Sequence, residues 1–158
     1  MKSRDIEFWL GLIGKLDSDP DIRELVVASG KSIVSEHQVG YLELLSDGIS
    51  IMFKRSYALQ QPTTGVADGP YYVNAVHLHS SGHDGYEEYR GSLVDGVLFG
   101  DSELTIINKL SCFPTKGGGN YSTILKRQLP KWIECIVGNG HIRFTLSPMG
   151  SLIMVTLF

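Results

Sequence analysis

Near the N-terminus, apolar side chains recur at spacings of three and four positions. This stripe predicts an amphipathic helix over residues 5–16, and its members are Ile6, Trp9, Leu10, Leu12, Ile13 and Leu16. Asp19 followed by Pro20 is typical of a helix N-cap with proline at the first helical position. A second helix is therefore expected over residues 20–29, and Gly30 should end it.

The hydrophobic period changes from about 3.6 residues to 2 after the second helix. The runs that predict β-strands cover residues 39–45, 49–54, 71–79, 132–137, 141–146 and 151–157. Ser46-Asp47-Gly48 and Asn139-Gly140 separate neighbouring runs and are typical of tight hairpin turns. One further helix is expected over residues 101–110, and the polar stretch 56–70 predicts a long loop.

The order of these elements predicts a single α+β domain over residues 1–158. Two N-terminal helices should precede a mainly antiparallel meander sheet that carries one inserted helix. The composition, with 42% hydrophobic and 20% charged residues, is that of a globular domain. It excludes a disordered chain, and the longest apolar runs fall short of the roughly 18 residues of a membrane span.

The N-terminal apolar stripe is interrupted by charges at Asp5, Glu7 and Lys15, so it does not resemble a secretory signal. We therefore expect a cytoplasmic protein. In that compartment Cys112 and Cys135 are expected to be reduced, mostly buried thiols, with a disulfide between them as the less favoured alternative.

Charge is distributed unevenly along the chain, whose formal net charge is −3. Residues 1–113 hold nine Lys/Arg and sixteen Asp/Glu, a net of −7, whereas residues 114–158 hold five Lys/Arg and one acid, a net of +4. This balance argues against a nucleic-acid ligand. An acidic body instead favours a basic protein partner, because complementary potentials speed encounter. The alternative is that the acids only keep the domain soluble.

A histidine cluster is the strongest candidate for chemistry. His77 and His79 lie two residues apart on a predicted strand, so their side chains share one face, and His83 and Asp84 follow in the next turn. Zinc accepts histidine nitrogen and carboxylate oxygen, and three protein ligands plus water would make a catalytic centre. A small metal-dependent hydrolase is therefore one alternative function. The other interpretation is a set of imidazoles on an amphipathic strand, and we assign no metal or cofactor.

Other catalytic patterns are absent from the sequence. The glycines at 117–119 lack the GxxxxGK[ST] arrangement of a phosphate-binding loop and predict a surface loop. Cys112 and Cys135 have apolar neighbours, which raise a thiol pKa and make it unreactive. The sequence contains no GxSxG or HExxH pattern. We therefore assign no catalytic residue and expect a protein that is not an enzyme.

The loop over residues 80–89 has a composition suited to protein binding. It sets Asp84, Glu87 and Glu88 around Tyr86 and Tyr89. Tyrosine gives large contact area at low entropic cost, and carboxylates pair with Lys or Arg of a partner. Alternatively, the tyrosines pack into the core and the acids are merely solvated. The expected partner-binding residues are these five, together with Asp47 in the first hairpin turn and Asp68 in the long loop.

Residues 85–119 read GYEEYRGSLVDGVLFGDSELTIINKLSCFPTKGGG. The underlying pattern is G-Y-x-x-Y-x-G-x-L-x-x-G-[LV]-x-F-x-D-S, followed by a helix and a loop with proline and glycine. The stretch resembles small bacterial immunity proteins that are found beside toxin genes. It is similar in particular to those paired with S-type pyocins and related bacteriocins, and the resemblance extends over roughly residues 38–158.

The resemblance implies an antitoxin role, in which the protein binds a toxin domain made by the same cell and blocks it. Such toxin domains are often nucleases, which are basic because they hold phosphates. A nuclease inhibitor would occlude the active site or the substrate groove. We therefore expect a cognate toxin domain as partner and neither nucleic acid nor a membrane. An apolar terminal strand also makes a homodimer plausible.

Overall fold

The computed structural model describes residues 4–36, 38–55 and 69–158. Its α-helices are α1 (Ile6–Leu10), α2 (Pro20–Ser29) and α3 (Glu103–Lys109). None of the helices in these ranges combines the length and the apolar run needed to cross a membrane. The predicted loop 56–70 falls outside the described residues except for its last two positions.

Eight strands form one large sheet, and two short strands form a separate ribbon. The sheet strands are β1 (Val34–Glu36), β2 (Val39–Leu44), β3 (Ile49–Arg55), β4 (Tyr71–His79), β5 (Thr115–Gly117), β8 (Trp132–Val137), β9 (Gly140–Leu146) and β10 (Leu152–Leu157). The ribbon pairs β6 (Tyr121–Ser122) with β7 (Arg127–Gln128). The α+β class with an antiparallel meander is confirmed, and the four shortest strands, β1, β5, β6 and β7, were not predicted.

The sheet order is β1-β2-β3-β4-β10-β9-β8-β5, and all its pairs are antiparallel. The C-terminal strand β10 thus lies in the middle, between β4 and β9. It pairs with β4 from Met154 opposite His79 to Leu157 opposite Val76. Two meanders, one from each part of the chain, are joined into a single sheet by this strand.

The first helix is shorter than predicted, because it ends at Leu10. Beyond it, the Gly14 N–H donates to the Val73 carbonyl at 2.8 Å, and the Val73 N–H donates to the Lys15 carbonyl at 2.8 Å. The chain after α1 therefore runs against β4 and satisfies its backbone groups there. The predicted helix over residues 5–16 is wrong beyond residue 10 because an apolar spacing does not show which backbone partner a segment will take.

The helices contribute to a single buried core with the inward face of the sheet. Fully buried members include Trp9 of α1, Ile22 of α2, Ile106 of α3, Phe144 of β9 and Val155 of β10. Each such side chain contributes about 1.5–3 kcal/mol through removal from water. The opposite face of the sheet carries polar and aromatic residues, so the two sheet faces differ in chemistry.

Cys112 and Cys135 form a disulfide, with 6.2 Å between their Cα atoms, so the expectation of two reduced thiols is wrong. The pairing of β5 with β8 sets Thr115 opposite Glu134 and brings the chain after α3 alongside Cys135. Asp95 secures the same segment, because its carboxylate accepts hydrogen bonds from the backbone N–H and the hydroxyl of Ser111. These two hydrogen bonds also lower the pKa of Asp95.

We predict that reduction of this disulfide lowers the free energy of unfolding by about 3 kcal/mol, the chain-entropy value for its 23-residue separation. Urea denaturation with and without dithiothreitol measures the difference. The Cys112→Ser/Cys135→Ser variant is the control, because it should not respond to dithiothreitol. Equal stability of the oxidised and reduced wild-type protein would contradict the prediction.

Candidate functional site

Two distant segments meet at one end of β3 and β4. The Glu87 N–H donates to the Leu45 carbonyl at 2.9 Å, and the Tyr89 N–H donates to the His79 carbonyl at 3.0 Å. Gly48, with φ +70°, closes the turn between β2 and β3, and a Cβ built on it would lie 2.3 Å from the Tyr89 nitrogen. The stretch after β4 is thus docked on that turn by backbone contacts.

This junction collects negative charge from both segments. We call the acidic edge the set Glu43, Asp47, Asp84, Glu87 and Glu88. Arg90 is the one Lys or Arg within residues 43–48 and 83–90, and it lies 3.4 Å from the Glu87 carboxylate in an exposed pair. Exposed pairs contribute about 0–1 kcal/mol, so the edge keeps an excess of four carboxylates over this arginine.

Four of the seven predicted contact residues belong to the acidic edge: Asp47, Asp84, Glu87 and Glu88. The Asp84 side chain is 74% exposed and that of Glu87 is 62% exposed. Glu88 is exposed, and Asp47 is half-buried in the turn that abuts residues 87–89. Asp68 lies outside the described residues. The structure therefore brings Asp47 beside the loop 80–89, which sequence separation alone does not show.

The two tyrosines point inward. Tyr86 is 6% exposed, stacks on His79 with ring centroids 3.8 Å apart, and donates its hydroxyl to Glu43. Tyr89 is 4% exposed and donates its hydroxyl to the Arg4 carbonyl. Burial raises the pKa of both phenols. Their rings hold the loop on the sheet, so the predicted contact surface is reduced to the carboxylates.

The histidine cluster lies directly beside this edge. His79, at the end of β4, has its Nδ1 3.0 Å from Nδ1 of His83. His83 Nδ1 also lies 3.7 Å from an Asp84 carboxylate oxygen. On its other side, His79 Nε2 is 3.1 Å from the Ser50 hydroxyl. His77 is directed elsewhere, since its Nδ1 lies 3.0 Å from the Thr156 hydroxyl on β10.

His79 is held as a neutral imidazole. Desolvation, followed by the neighbouring His83 and His77, lowers its pKa from 6.5 to about 4. Desolvation also lowers the pKa of His77. A neutral imidazole offers a lone pair at neutral pH, so the cluster can accept a hydrogen bond or a metal ion there. The residues that could hold a metal ion are His79, His83 and Asp84.

A row of polar side chains crosses the outer face of the sheet. Strand register places in line Glu43, Ser50, His77, Thr156, Arg143, Glu134 and Thr115. Arg143 donates twice to Glu134 and lies over the Trp132 ring at 4.8 Å. Desolvation opposes ionisation of Glu134, but these hydrogen bonds outweigh it and lower the pKa. A period of two predicts that alternate residues of one strand share a sheet face, but the row depends on the register between strands, which that period does not give.

A cleft of about 470 Å³ lies between α1 and the turn that joins β8 to β9. Its lining is mainly apolar, with Leu10, Ile13 and Phe158. Among the described residues that line it, Glu7 and Asn139 supply the polar side chains. They offer one carboxylate and one amide, so this cleft does not present the nucleophile and base of a covalent mechanism.

Comparison with protein-family models, with curated proteins and with solved structures found no match.

We predict that Gly48→Ala destabilises the protein more than Gly96→Ala. Both glycines have φ +70°, so each alanine meets the same left-handed backbone cost of about 1–2 kcal/mol. A Cβ at Gly96 meets nothing within 4 Å, whereas one at Gly48 collides with the backbone of residues 87–89. The extra cost should be roughly 1–3 kcal/mol. Urea denaturation measures both, and equal losses would contradict the docking of the loop on the turn.

We predict that stability falls on acidification through His79. Its folded-state pKa of about 4 lies below the ordinary 6.5, so protonation favours the unfolded chain. The stabilisation is complete above pH 6.5, and about 3 kcal/mol is lost as the pH falls through about 4. Urea denaturation of wild type and His79→Gln across this range, with a chelator present, isolates the contribution. An NMR titration in which the His79 ring protonates near 6.5 would contradict it.

Proposed function

We propose that this protein is an immunity protein that binds a basic toxin domain through the acidic edge and inhibits it by occlusion. The observation that carries the proposal is the meeting of residues 43–48 and 83–90 at one end of the sheet, since these two segments together carry five carboxylates and one arginine. The resemblance of residues 85–119 to bacteriocin immunity proteins supplies the partner class. The proposal assigns no catalytic residue.

The rigidity of the acidic edge supports a binding role. Its two segments are joined by backbone hydrogen bonds and anchored by buried Tyr86 and Tyr89. A preorganised surface loses little conformational freedom on association, so more of the contact energy appears as affinity. The buried rings of Tyr86 and Tyr89 beneath the exposed carboxylates therefore indicate that the acidic edge has its binding conformation before the partner binds.

The charge of the acidic edge suits a nuclease as partner. A nuclease carries Lys and Arg along its substrate groove in order to hold phosphates. Carboxylates at the mouth of that groove would pair with the Lys and Arg side chains that otherwise hold the substrate phosphates. They would therefore exclude the substrate. Opposite potentials also raise association rates by about 10- to 1000-fold, which matters for a toxin that must be blocked soon after synthesis. A standard contact of about 1,600 Å² would extend beyond the five carboxylates.

We propose the cytoplasm as the compartment, because a toxin and its inhibitor made by one cell meet there first. The disulfide between Cys112 and Cys135 is a bond that oxidising compartments favour. Binding measured with dithiothreitol therefore tests the compartment: a protein that serves in the cytoplasm must bind its partner in the reduced state.

A metal-dependent hydrolase is the second candidate, and one observation favours it. His79, His83 and Asp84 have ligand atoms within 4.8 Å of one another. It ranks second because His77, the remaining member of the predicted cluster, is engaged with Thr156. A generic binding module would use the acidic edge without a toxin, whereas the homodimer expected through the apolar terminal strand finds no free edge there, because β10 pairs with both β4 and β9. Inhibition of a purified partner's activity separates an immunity protein from both.

We predict that Glu87→Lys/Glu88→Lys slows association with the toxin at least about 10-fold without unfolding the protein. Wild type and variant are immobilised and exposed to lysate of the producing strain. A basic protein retained by wild type and lost from the variant is then purified, and association rates and residual toxin activity are measured at two salt concentrations.

The matched control is Glu7→Lys/Glu36→Lys, which changes net charge equally. Glu7, the second residue of α1, lines the cleft at the turn between β8 and β9, and Glu36 pairs with Val39 at the end of β2 remote from the turn at residues 45–47. This variant should associate nearly as fast as wild type. Equal slowing by both variants would show that net charge matters and that the acidic edge is not the contact. Retention of a partner whose activity is unaffected would overturn the immunity function.

A further inference from the structure

His79 and His83 face each other in an arrangement suited to a shared cation. Their Nδ1 atoms are 3.0 Å apart, and an Asp84 carboxylate oxygen lies 3.7 Å from the second of them. All three ligand atoms lie within 4.8 Å of one another. They come from two elements, since His79 ends β4 and the other two residues lie in the 3₁₀ turn His83–Gly85.

These separations match tetrahedral zinc. Zinc–nitrogen bonds of about 2.0–2.1 Å place the corners of a tetrahedron about 3.3 Å apart. The two imidazole nitrogens are within a few tenths of an ångström of that spacing. The Asp84 carboxylate is close enough to complete the set by a side-chain rotation, because the side chain is 74% exposed. Two imidazoles and one carboxylate favour zinc and its neighbours over magnesium or calcium, which prefer oxygen ligands.

The surroundings of His79 hold its ring in one orientation, with Nδ1 directed toward His83. Its Nε2 lies 3.1 Å from the Ser50 hydroxyl, and the ring stacks on Tyr86 with an interplanar angle of 5°. A proton on Nε2, donated to Ser50, leaves the lone pair on Nδ1, where the other two ligands converge. Metal-binding histidines usually have such a partner on the second nitrogen, and it sets both the tautomer and the orientation.

We propose that His79, His83 and Asp84 bind one divalent ion of the zinc class and leave a fourth coordination position open to water. The ion lies at the surface, since His79 is buried while the Asp84 side chain is exposed. It links the end of β4 to the turn that follows and adds positive charge to the acidic edge, of which Asp84 is a member. The site does not depend on the proposed toxin partner.

The test is a calorimetric titration of the chelator-treated 158-residue protein with Zn²⁺ alone. One ion per chain is expected, together with a rise of several degrees in the unfolding temperature, because a ligand that binds the folded state stabilises it. Co²⁺ in place of Zn²⁺ should give the intense visible absorption of a tetrahedral site. Mg²⁺ should produce neither effect. Absence of zinc binding, or equal binding of Mg²⁺, would overturn the proposal.

Three variants assign the ligands. His83→Gln and Asp84→Asn each remove a metal-ligand atom from a surface turn. His83→Gln should weaken zinc binding more than about 100-fold. Loss of a residue that only hydrogen-bonds to a metal ligand costs about 10- to 100-fold, so a larger effect identifies a direct ligand. The control is His141→Gln, which also removes an imidazole set beside a carboxylate, 3.1 Å from Glu134. Unchanged affinity in both turn variants, or an equal loss in the control, would overturn the assignment even if the protein binds zinc.

Discussion

The antiparallel pairing of β10 with β4 is the contact on which the large sheet depends. On one side of it lies the meander β1-β2-β3-β4, and on the other lie β9, β8 and β5. Val155 and Leu157 of β10 are fully buried, so the joining strand is also part of the core. The histidine cluster begins at this junction, because His79 at the end of β4 pairs with Met154 of β10.

The acidic edge and the histidine cluster both lie where β4 ends. There the Ser80 N–H donates to the Ile153 carbonyl at 2.9 Å, while the His79 N–H donates to the Gly48 carbonyl at 2.8 Å. Backbone bonds from three segments therefore converge on His79, the last residue of β4, and on Ser80, which follows it. This convergence explains why exposed carboxylates sit on buried aromatic rings, and why two histidines four residues apart approach each other.

Much of the fold follows from local signals. The N-cap at Asp19, the turn at Gly48 and the alternation in β4 all predicted elements that the structure contains. What local signals lack is partner choice. They gave no reason for the first helix to end at residue 10 and the chain to run along β4 from residue 14, nor for Cys112 to approach Cys135. The same holds for the candidate site. Its charged residues can be predicted from composition, whereas the burial of Tyr86 and the contact of Ser50 with His79 depend on strand register.

The central place of the C-terminal strand also bears on biosynthesis. A chain emerging from the ribosome can form the β2–β3–β4 meander early, but residues 76–79 of β4 keep an unpaired edge until residues 152–157 have been released. Pairing over so long a sequence separation is slow, and an open edge of this kind is prone to association with other chains. The end of β4 gains its last neighbour only after residues 152–157 have left the ribosome, so a nascent chain cannot present a finished surface before that point.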